Sequence, residues 1–387
     1  MSKSAVHAVA AEHVFDGTVL HEGAAVVIDG STIAALVPRS QLPRGVSVRD
    51  LPDGIWIAPG FIDLQVNGGA DVLFNDQPTP DGIARIAAAH RRFGTTALLP
   101  TLISDSPEKM KAALAALEAS FDTQPSVLGL HLEGPFISSC KAGIHDPGAI
   151  RRPTSEDESL LCRPTKGKLL VTLAPEEVPP GFIGRLARAG VRLALGHSMA
   201  TYAQTKAAMA VGLTGFTHLF NAMRPLTSRE PGPVAAALES SSAWYGLIAD
   251  GIHVDPAMLR LALRGLGHPM LVTDAMPPVG GRSSSFMLHG REIRVDRGRA
   301  TSAQGTLGGA ILDMASAVRN CVNLMGLPLA QALPFASLYP ASFLGVGDTL
   351  GRLAPRYRAD IVAFEPGSLN VLATWVAGEP DKTPCRP

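Results

Sequence analysis

The stretch "IWIAPGFIDLQVN", residues 55–67, decides the fold. It is almost continuously apolar and then stops in two amides, Gln65 and Asn67. Strands covered on both faces read this way, and they belong to parallel sheets flanked by helices. Seven further runs repeat the texture: "TTALLPTL", "SVLGLHLEG", "KLLVTLAPE", "VRLALGHS", "GFTHLFN", "WYGLIADGIHV" and "PMLVTDAM". Between most of them lie Ala- and Leu-rich stretches with helical spacing, such as "DGIARIAAAHRRF", "PEKMKAALAALEASF" and "ATYAQTKAAMAVG". Eight strand–helix units predict an α/β fold, a (β/α)8 TIM-like barrel over residues 56–355.

The flanks differ. Residues 1–55 hold short β-like runs with turn signals, such as "AAVVIDGSTIAALV" around Asp29-Gly30. The tail, 356–387, has the same texture in "ADIVAFEPGSLNVLATWVAGE". Each is too small to fold alone, so the two termini are expected to pair as one small β-sandwich domain. Residues 277–305 form a long excursion after the eighth strand. Its "SFMLHGREIRVDRGRA" predicts a β-hairpin with turns at His289-Gly290 and Arg297-Gly298.

The 387 residues suffice for a large core, and hydrophobic residues make up 46%. Lys+Arg 34 balances Asp+Glu 34, which argues against a protein that coats nucleic acid or an anionic membrane. Cys140, Cys162, Cys321 and Cys385 form no CxxC and suggest no disulfide framework. The N-terminal residues contain no apolar run of signal-peptide length, and no internal run reads as a membrane span. A cytoplasmic location is expected.

The strand ends carry the chemistry. They finish in Gln65 and Asn67, Thr101, His131 and Glu133, Glu176, His197, His218 and Asn221, Asp250 and His253, and Asp274. Active sites of such barrels sit at the carboxyl ends of the strands. Burying such groups without partners costs several kcal/mol, so their recurrence in successive strands marks a site. Glu133, His197 and His218 offer two imidazoles and one carboxylate, a set suited to Zn²⁺ or Fe²⁺ with positions left open. A metal there lowers the pKa of bound water to roughly 7. Asp274 can then take a proton from that water and hand it to a leaving amine. His7, His13, His21, His90, His268 and His289 are read as structural; His131 shares the face of Glu133, and its role stays open.

Several motifs occur in one order over nearly the whole chain: "APGFIDLQVNGG", "HLEGPFI", "KAGIHDPG", "LGHS", "THLFNAM", "REPG", "ADGIHVD", "LVTDAM" and "GTLGGA". In these the chain resembles the N-acetylglucosamine-6-phosphate deacetylases of the amidohydrolase superfamily. The stretch Pro355-Arg356-Tyr357-Arg358 departs from the family, which more often has a Gly-Lys turn there. The resemblance implies Glu133, His197 and His218 as ligands of one divalent metal per subunit, and Asp274 as the catalytic acid/base. It implies that His145 polarises the acetamido carbonyl, with Ile144 beside it. It implies substrate contacts from Asn221, Ala222, Asp250 and His253, and from a closing loop of Thr306, Leu307 and Gly308. Arg229 and His253 would bind the phosphate across the interface of a homodimer. The implied reaction hydrolyses N-acetylglucosamine 6-phosphate to glucosamine 6-phosphate and acetate, in amino-sugar catabolism or cell-wall recycling.

Three alternatives remain at this level. The galacto epimer would share the acetamide and phosphate contacts. Cyclic-amide hydrolases of the superfamily usually carry His-x-His after strand one and often a lysine at the end of strand four, and "KLLVTLAPE" has no lysine at its end. A non-catalytic scaffold would not need Glu133, His197, His218 and Asp274 together. Gln65-Val66-Asn67 stands where His-x-His would hold a second metal. Neutral amides bind Zn²⁺ or Fe²⁺ poorly, but they can hydrogen-bond to water or to Glu133. One metal is therefore expected rather than two.

Overall fold

The structure is a computed structural model and describes residues 6–381; Cys385 and the end of the tail lie outside the described residues. Contact density separates two compact units, one of Met1–Asp63, Ala87–Ala97 and Asp313–Pro387, the other of Leu64–Ile86 and Leu98–Leu312.

Eight parallel strands follow one another around a barrel: β1 (Phe61–Val66), β2 (Thr95–Ile103), β3 (Gly129–Glu133), β4 (Lys168–Leu173), β5 (Arg192–Leu195), β6 (Gly215–Phe216), β7 (Trp244–Leu247) and β8 (His268–Leu271). The ring closes just beyond β8. Ala275 bridges Val66 in parallel, and its carbonyl accepts the N–H groups of Asn67 and Gly68 at 3.0 and 2.9 Å. The strands are buried along almost their whole length, which matches their unbroken apolar sequence. Helices stand between strands where the spacing places them, at Pro80–Arg91, Pro107–Ser120 and Tyr202–Ala210. Local chemistry starts them. Ser106 caps the second of these, accepting from Lys109 N ahead of a proline at the first turn. Thr201 and Gln204 form a reciprocal capping box for the third.

The run that reads as a single first strand is two strands. Trp56–Pro59 ends before Gly60, and β1 begins after it. A Cβ on Gly60 would lie 2.2 Å from the Thr96 side chain, so only glycine allows this approach. Trp56–Pro59 joins the terminal domain. It pairs parallel to His7–Phe15 and antiparallel to Ile361–Phe364, and so stitches the two chain ends into one eight-stranded sheet. Val9, Val26, Ile28, Ile57, Ile361 and Trp375 form the core on one face. Ala8, Ala10, Ala25 and Val27 pack on the other, as alternation along a strand requires. The Asp29-Gly30 turn falls between two paired strands as expected.

The excursion after β8 is larger than a hairpin. Ser285–Leu288, Arg291–Asp296, Arg299–Thr301 and Leu307–Ala310 make a four-stranded antiparallel sheet. Its tight turns sit at His289-Gly290 and Arg297-Gly298, where all four residues have positive φ.

Candidate metal centre and active site

Strands β5, β6 and β8 end sooner than their sequence suggests, and their polar residues lie just past them. His197 follows β5 by two residues, His218 follows β6 by two, and Asp274 follows β8 by three. At these three positions φ is 48°, 30° and 52°. Non-glycine residues seldom adopt this left-handed region, and such strain concentrates at functional sites. The sharp turns swing each side chain over the barrel mouth.

Three of these groups converge. His197 Nε2 and His218 Nε2 lie 3.0 and 2.9 Å from Glu133 Oε1, and 3.1 Å from each other. One ligand atom from each residue falls within 4.8 Å of the others. All three are buried. The His197 tautomer is fixed from behind. Its Nδ1 is 2.7 Å from the Lys141 carbonyl, which can only accept, so Nδ1 carries the hydrogen and Nε2 a lone pair. A lone pair, a carboxylate oxygen and a second imidazole nitrogen thus crowd one point. The Glu133 carboxyl is well below the usual carboxylate range: burial opposes its ionisation, but the two imidazoles outweigh burial. Such a donor set fits one divalent cation with open positions.

Around this point stand the other candidates. Asp274 Oδ1 accepts from Asn67 Nδ2 at 2.6 Å and from Gln65 Nε2 at 3.1 Å, and Gln65 Nε2 also donates to Glu133 Oε2 at 3.0 Å. Burial, and then the Glu133 charge, push the Asp274 carboxyl up to about 6. Asp274 N donates to the Gln65 carbonyl at 3.0 Å, and Asp274 O accepts from Ala310 N at 2.9 Å. His145 is buried with its Nε2 4.0 Å from Glu133 Oε1. Its Nδ1 accepts the Ser104 backbone N–H at 3.2 Å, so the hydrogen of the neutral ring sits on Nε2. Burial, and then the neighbouring His197, keep this imidazole well below its ordinary pKa and hence neutral. Nε2–H is therefore a neutral donor at the mouth of the barrel.

A cavity of about 480 Å³ opens over these groups. Its wall includes Glu133, His145, His197, His218 and Asp274, together with Asn67, Ile144, Asn221, Ala222, His253, Thr306 and Leu307. Three residues expected from the sequence do not line it. Gly308 packs behind the wall, where a Cβ would come within 3.3 Å of Ile293 and 3.4 Å of Ile144. Asp250 turns its carboxylate to its own loop, accepting from Ile252 N, His253 N and His253 Nδ1 at 2.8, 2.9 and 2.6 Å. Arg229 is exposed on the loop after β6. Thr101 and His131 sit below the site in a buried ladder: His131 Nδ1 is 3.4 Å from Thr101 Oγ1, and its Nε2 is 2.7 Å from Thr172 Oγ1. Burial drives the His131 pKa down to about 4, so this ring is neutral. Glu176 lies outside the cavity wall and anchors the loop after His197, accepting from Ser198 Oγ at 2.7 Å and from Met199 N.

Sequence reasoning missed Lys141 and Ser104, which set the tautomers of His197 and His145. The signal for Ser104 was available. Strand β2 runs to Ile103, one residue past the end of "TTALLPTL" at Leu102, so Ser104 stands at the mouth.

Comparisons with known proteins place the chain in a family. The amidohydrolase family model matches residues 56–385. The N-acetylgalactosamine-6-phosphate deacetylase of Shewanella sp. (strain ANA-3) is 42% identical over 332 residues, 85% of this chain and 84% of that protein. The N-acetylglucosamine-6-phosphate deacetylase of Haemophilus influenzae is 35% identical over 360 residues, 92% of this chain and 94% of that protein. The crystal structure of N-acetylglucosamine-6-phosphate deacetylase from Pasteurella multocida superposes with a TM-score of 0.93 at 34% identity, covering 97% of this chain and 99% of that one.

Proposed function

This chain belongs to the amidohydrolase family, and we propose that within it the protein removes the acetyl group from an N-acetylamino-sugar 6-phosphate, with N-acetylglucosamine 6-phosphate as substrate and glucosamine 6-phosphate and acetate as products. One observation carries the reading: Glu133, His197 and His218 converge on a point in the wall of a cavity that Asp274 and His145 also line.

Glu133, His197 and His218 would hold a divalent cation, Zn²⁺ or Fe²⁺, one per chain; bound there it would polarise the acetamide carbonyl and acidify a water molecule. The remaining work belongs to the chain. His145 donates its Nε2–H to the carbonyl oxygen as negative charge builds on it, and a neutral imidazole does this without giving up the proton. Asp274 takes a proton from the attacking water and passes it to the nitrogen. An amide nitrogen leaves poorly unless protonated, so a group that carries a proton is required, and a carboxyl whose burial favours its protonated form suits that task. Ile144, Asn221, Ala222, Thr306 and Leu307 line the space for the sugar, with Gly308 holding the closing loop against Ile144. His253 faces the same cavity and is assigned to the phosphate.

We assign Arg229 to the phosphate as well, from a second copy of the chain. Arg229 is exposed and outside the cavity wall of its own chain, and Leu226 on the same loop is 50% exposed, as an interface loop would be. The reading comprises a homodimer in the cytoplasm, with the barrel as the catalytic domain; among the described residues no helix is long and apolar enough to cross a membrane.

The second reading is the galacto epimer, favoured by the name of the Shewanella relative. Acetate release from N-acetylglucosamine 6-phosphate and N-acetylgalactosamine 6-phosphate, with metal content measured on the same sample, tests both. Turnover of the galacto epimer alone would replace the first reading by the second. No acetate from either would end both.

A further inference from the structure

Two amides leave β1 on the same face, and they are employed differently. Gln65 Nε2 bridges Glu133 Oε2 and Asp274 Oδ1, at 3.0 and 3.1 Å. Asn67 Nδ2 donates to that same Asp274 Oδ1 at 2.6 Å. Since Oδ1 already accepts from Gln65, Asn67 must present its nitrogen to it, which fixes the orientation of the amide. The other arm of that amide, Asn67 Oδ1, is buried and has no protein partner. Asn67 is 2% exposed and is one of the residues that line the cavity. Buried acceptors in folded proteins nearly always find a donor, because an unmet one is costly.

We propose that Asn67 is a substrate-positioning residue whose Oδ1 accepts the N–H of the scissile amide while its Nδ2 holds Asp274. The inference rests on the deacetylase reading above. A secondary acetamide carries one N–H, and a carboxamide oxygen is the acceptor that matches it. With that hydrogen held by Asn67, the lone pair that develops on nitrogen is free to face Asp274. Both amide contacts fall on Asp274 Oδ1, so Oδ2 is the oxygen left to carry the proton. As the C–N bond breaks, its electron pair goes to nitrogen and the Asp274 proton follows. The amine departs with the original hydrogen and the new one, and Asp274 is again a carboxylate. One side chain thus fixes the distance between the proton donor and the atom that receives the proton, which is where misplacement is most expensive in rate.

The test compares an amide with an ester. Asn67→Ala and Asn67→Ser are assayed on the 2-acetamido sugar 6-phosphate and on the matching 2-O-acetyl ester, which has no N–H. Melting temperature and metal content are measured on the same samples. Asn67→Ala should lose kcat/KM on the amide by on the order of 10- to 100-fold more than on the ester. Asn67→Ser, with a small acceptor restored, should fall between it and the unaltered protein, and it carries the comparison if the alanine variant does not fold. Gln65→Ala, which also loosens Asp274 Oδ1, sets the amide-over-ester loss that comes through Asp274 alone; a bias in Asn67→Ala no larger than that, or equal losses on the two substrates, would overturn the proposal. If the unaltered protein releases no acetate from the amide, the deacetylase reading fails, and this inference fails with it.

Discussion

The two ends of the cavity are built on different plans. At the end assigned to the scissile bond, Gln65 and Asn67 donate to Glu133 and Asp274, and the His197 and His218 ring nitrogens close on Glu133 Oε1, all inside one chain. At the end assigned to the phosphate, one chain offers His253, steadied by Asp250, while the expected arginine lies exposed on a loop. The first end is complete without a partner. The second has no arginine in its wall, although a guanidinium fork is the natural match for a phosphate. Such a contrast is what a site divided between two copies of a chain would produce. It also separates two kinds of effect: damage to the first end should reach the chemical step, and damage to the second should reach binding.

The sharpest break in that contrast is metal removal. Dialysis against a chelator should bring acetate release to background, and one equivalent of Zn²⁺ or Fe²⁺ per chain should restore it. Two tightly bound metals per chain would contradict the role given to Gln65 and Asn67, which engage Asp274 and Glu133 where His-x-His ligands would hold a second ion. Next in size is Asp274→Asn. It should lower kcat by about 10²- to 10⁴-fold with metal content unchanged, since an amide cannot shuttle the proton. Near-normal turnover in that variant would remove Asp274 from the mechanism.

The contrast also explains what was legible in the sequence. Glu133, His197, His218 and Asp274 each stand at or just past the carboxyl end of a barrel strand, so fold periodicity alone places them together at the barrel mouth. Gln65 was read as a neighbour of Glu133, and it donates to that carboxylate. The direct contact of Asn67 with Asp274 was not foreseen, because 207 residues separate them and only ring closure through Ala275 makes them neighbours. The first strand was read as one because apolar periodicity has no mark for a change of sheet; Gly60 was the available sign, and a lone glycine has many explanations. The last excursion was half seen. The two tight turns were legible as X-Gly pairs, but the return strand Leu307–Ala310 reads as a glycine-rich loop. The phosphate end was legible only through resemblance, since nothing in the spacing of Arg229 connects it to His253.

Arg229→Ala tests the divided site. It should raise KM for the phosphorylated sugar about 10- to 100-fold and leave kcat near its original value, because a charge-assisted contact to a non-reacting part of the substrate is lost. Turnover of the unphosphorylated sugar should not change. Sedimentation of the unaltered protein as a monomer at assay concentrations, with Arg229→Ala still impaired, would break the assignment to a second copy.

The smallest effect expected is that of Asp250→Asn, and it decides how the phosphate end is layered. The resemblance places Asp250 against the substrate, whereas its carboxylate is occupied by Ile252 N, His253 N and His253 Nδ1, and it does not line the cavity. Burial pushes its pKa up, but the His253 contact and charge, with the two backbone N–H groups, outweigh this and hold it below the ordinary value. A depressed carboxyl stabilises the fold above the unfolded value of about 4, and that contribution is lost as pH falls through the folded value. Near pH 7 the substitution should therefore lower the melting temperature slightly, and the gap should close in acid. On substrate it should raise KM only a few-fold, since Asn still accepts the Nδ1–H and keeps the ring in place. The double variant Asp250→Asn with His253→Ala should be no worse than His253→Ala alone, because a residue that acts through another adds nothing once that other is gone. Additive losses would instead place Asp250 on the substrate directly, and the phosphate end would then contain more of its own chemistry than His253 alone supplies.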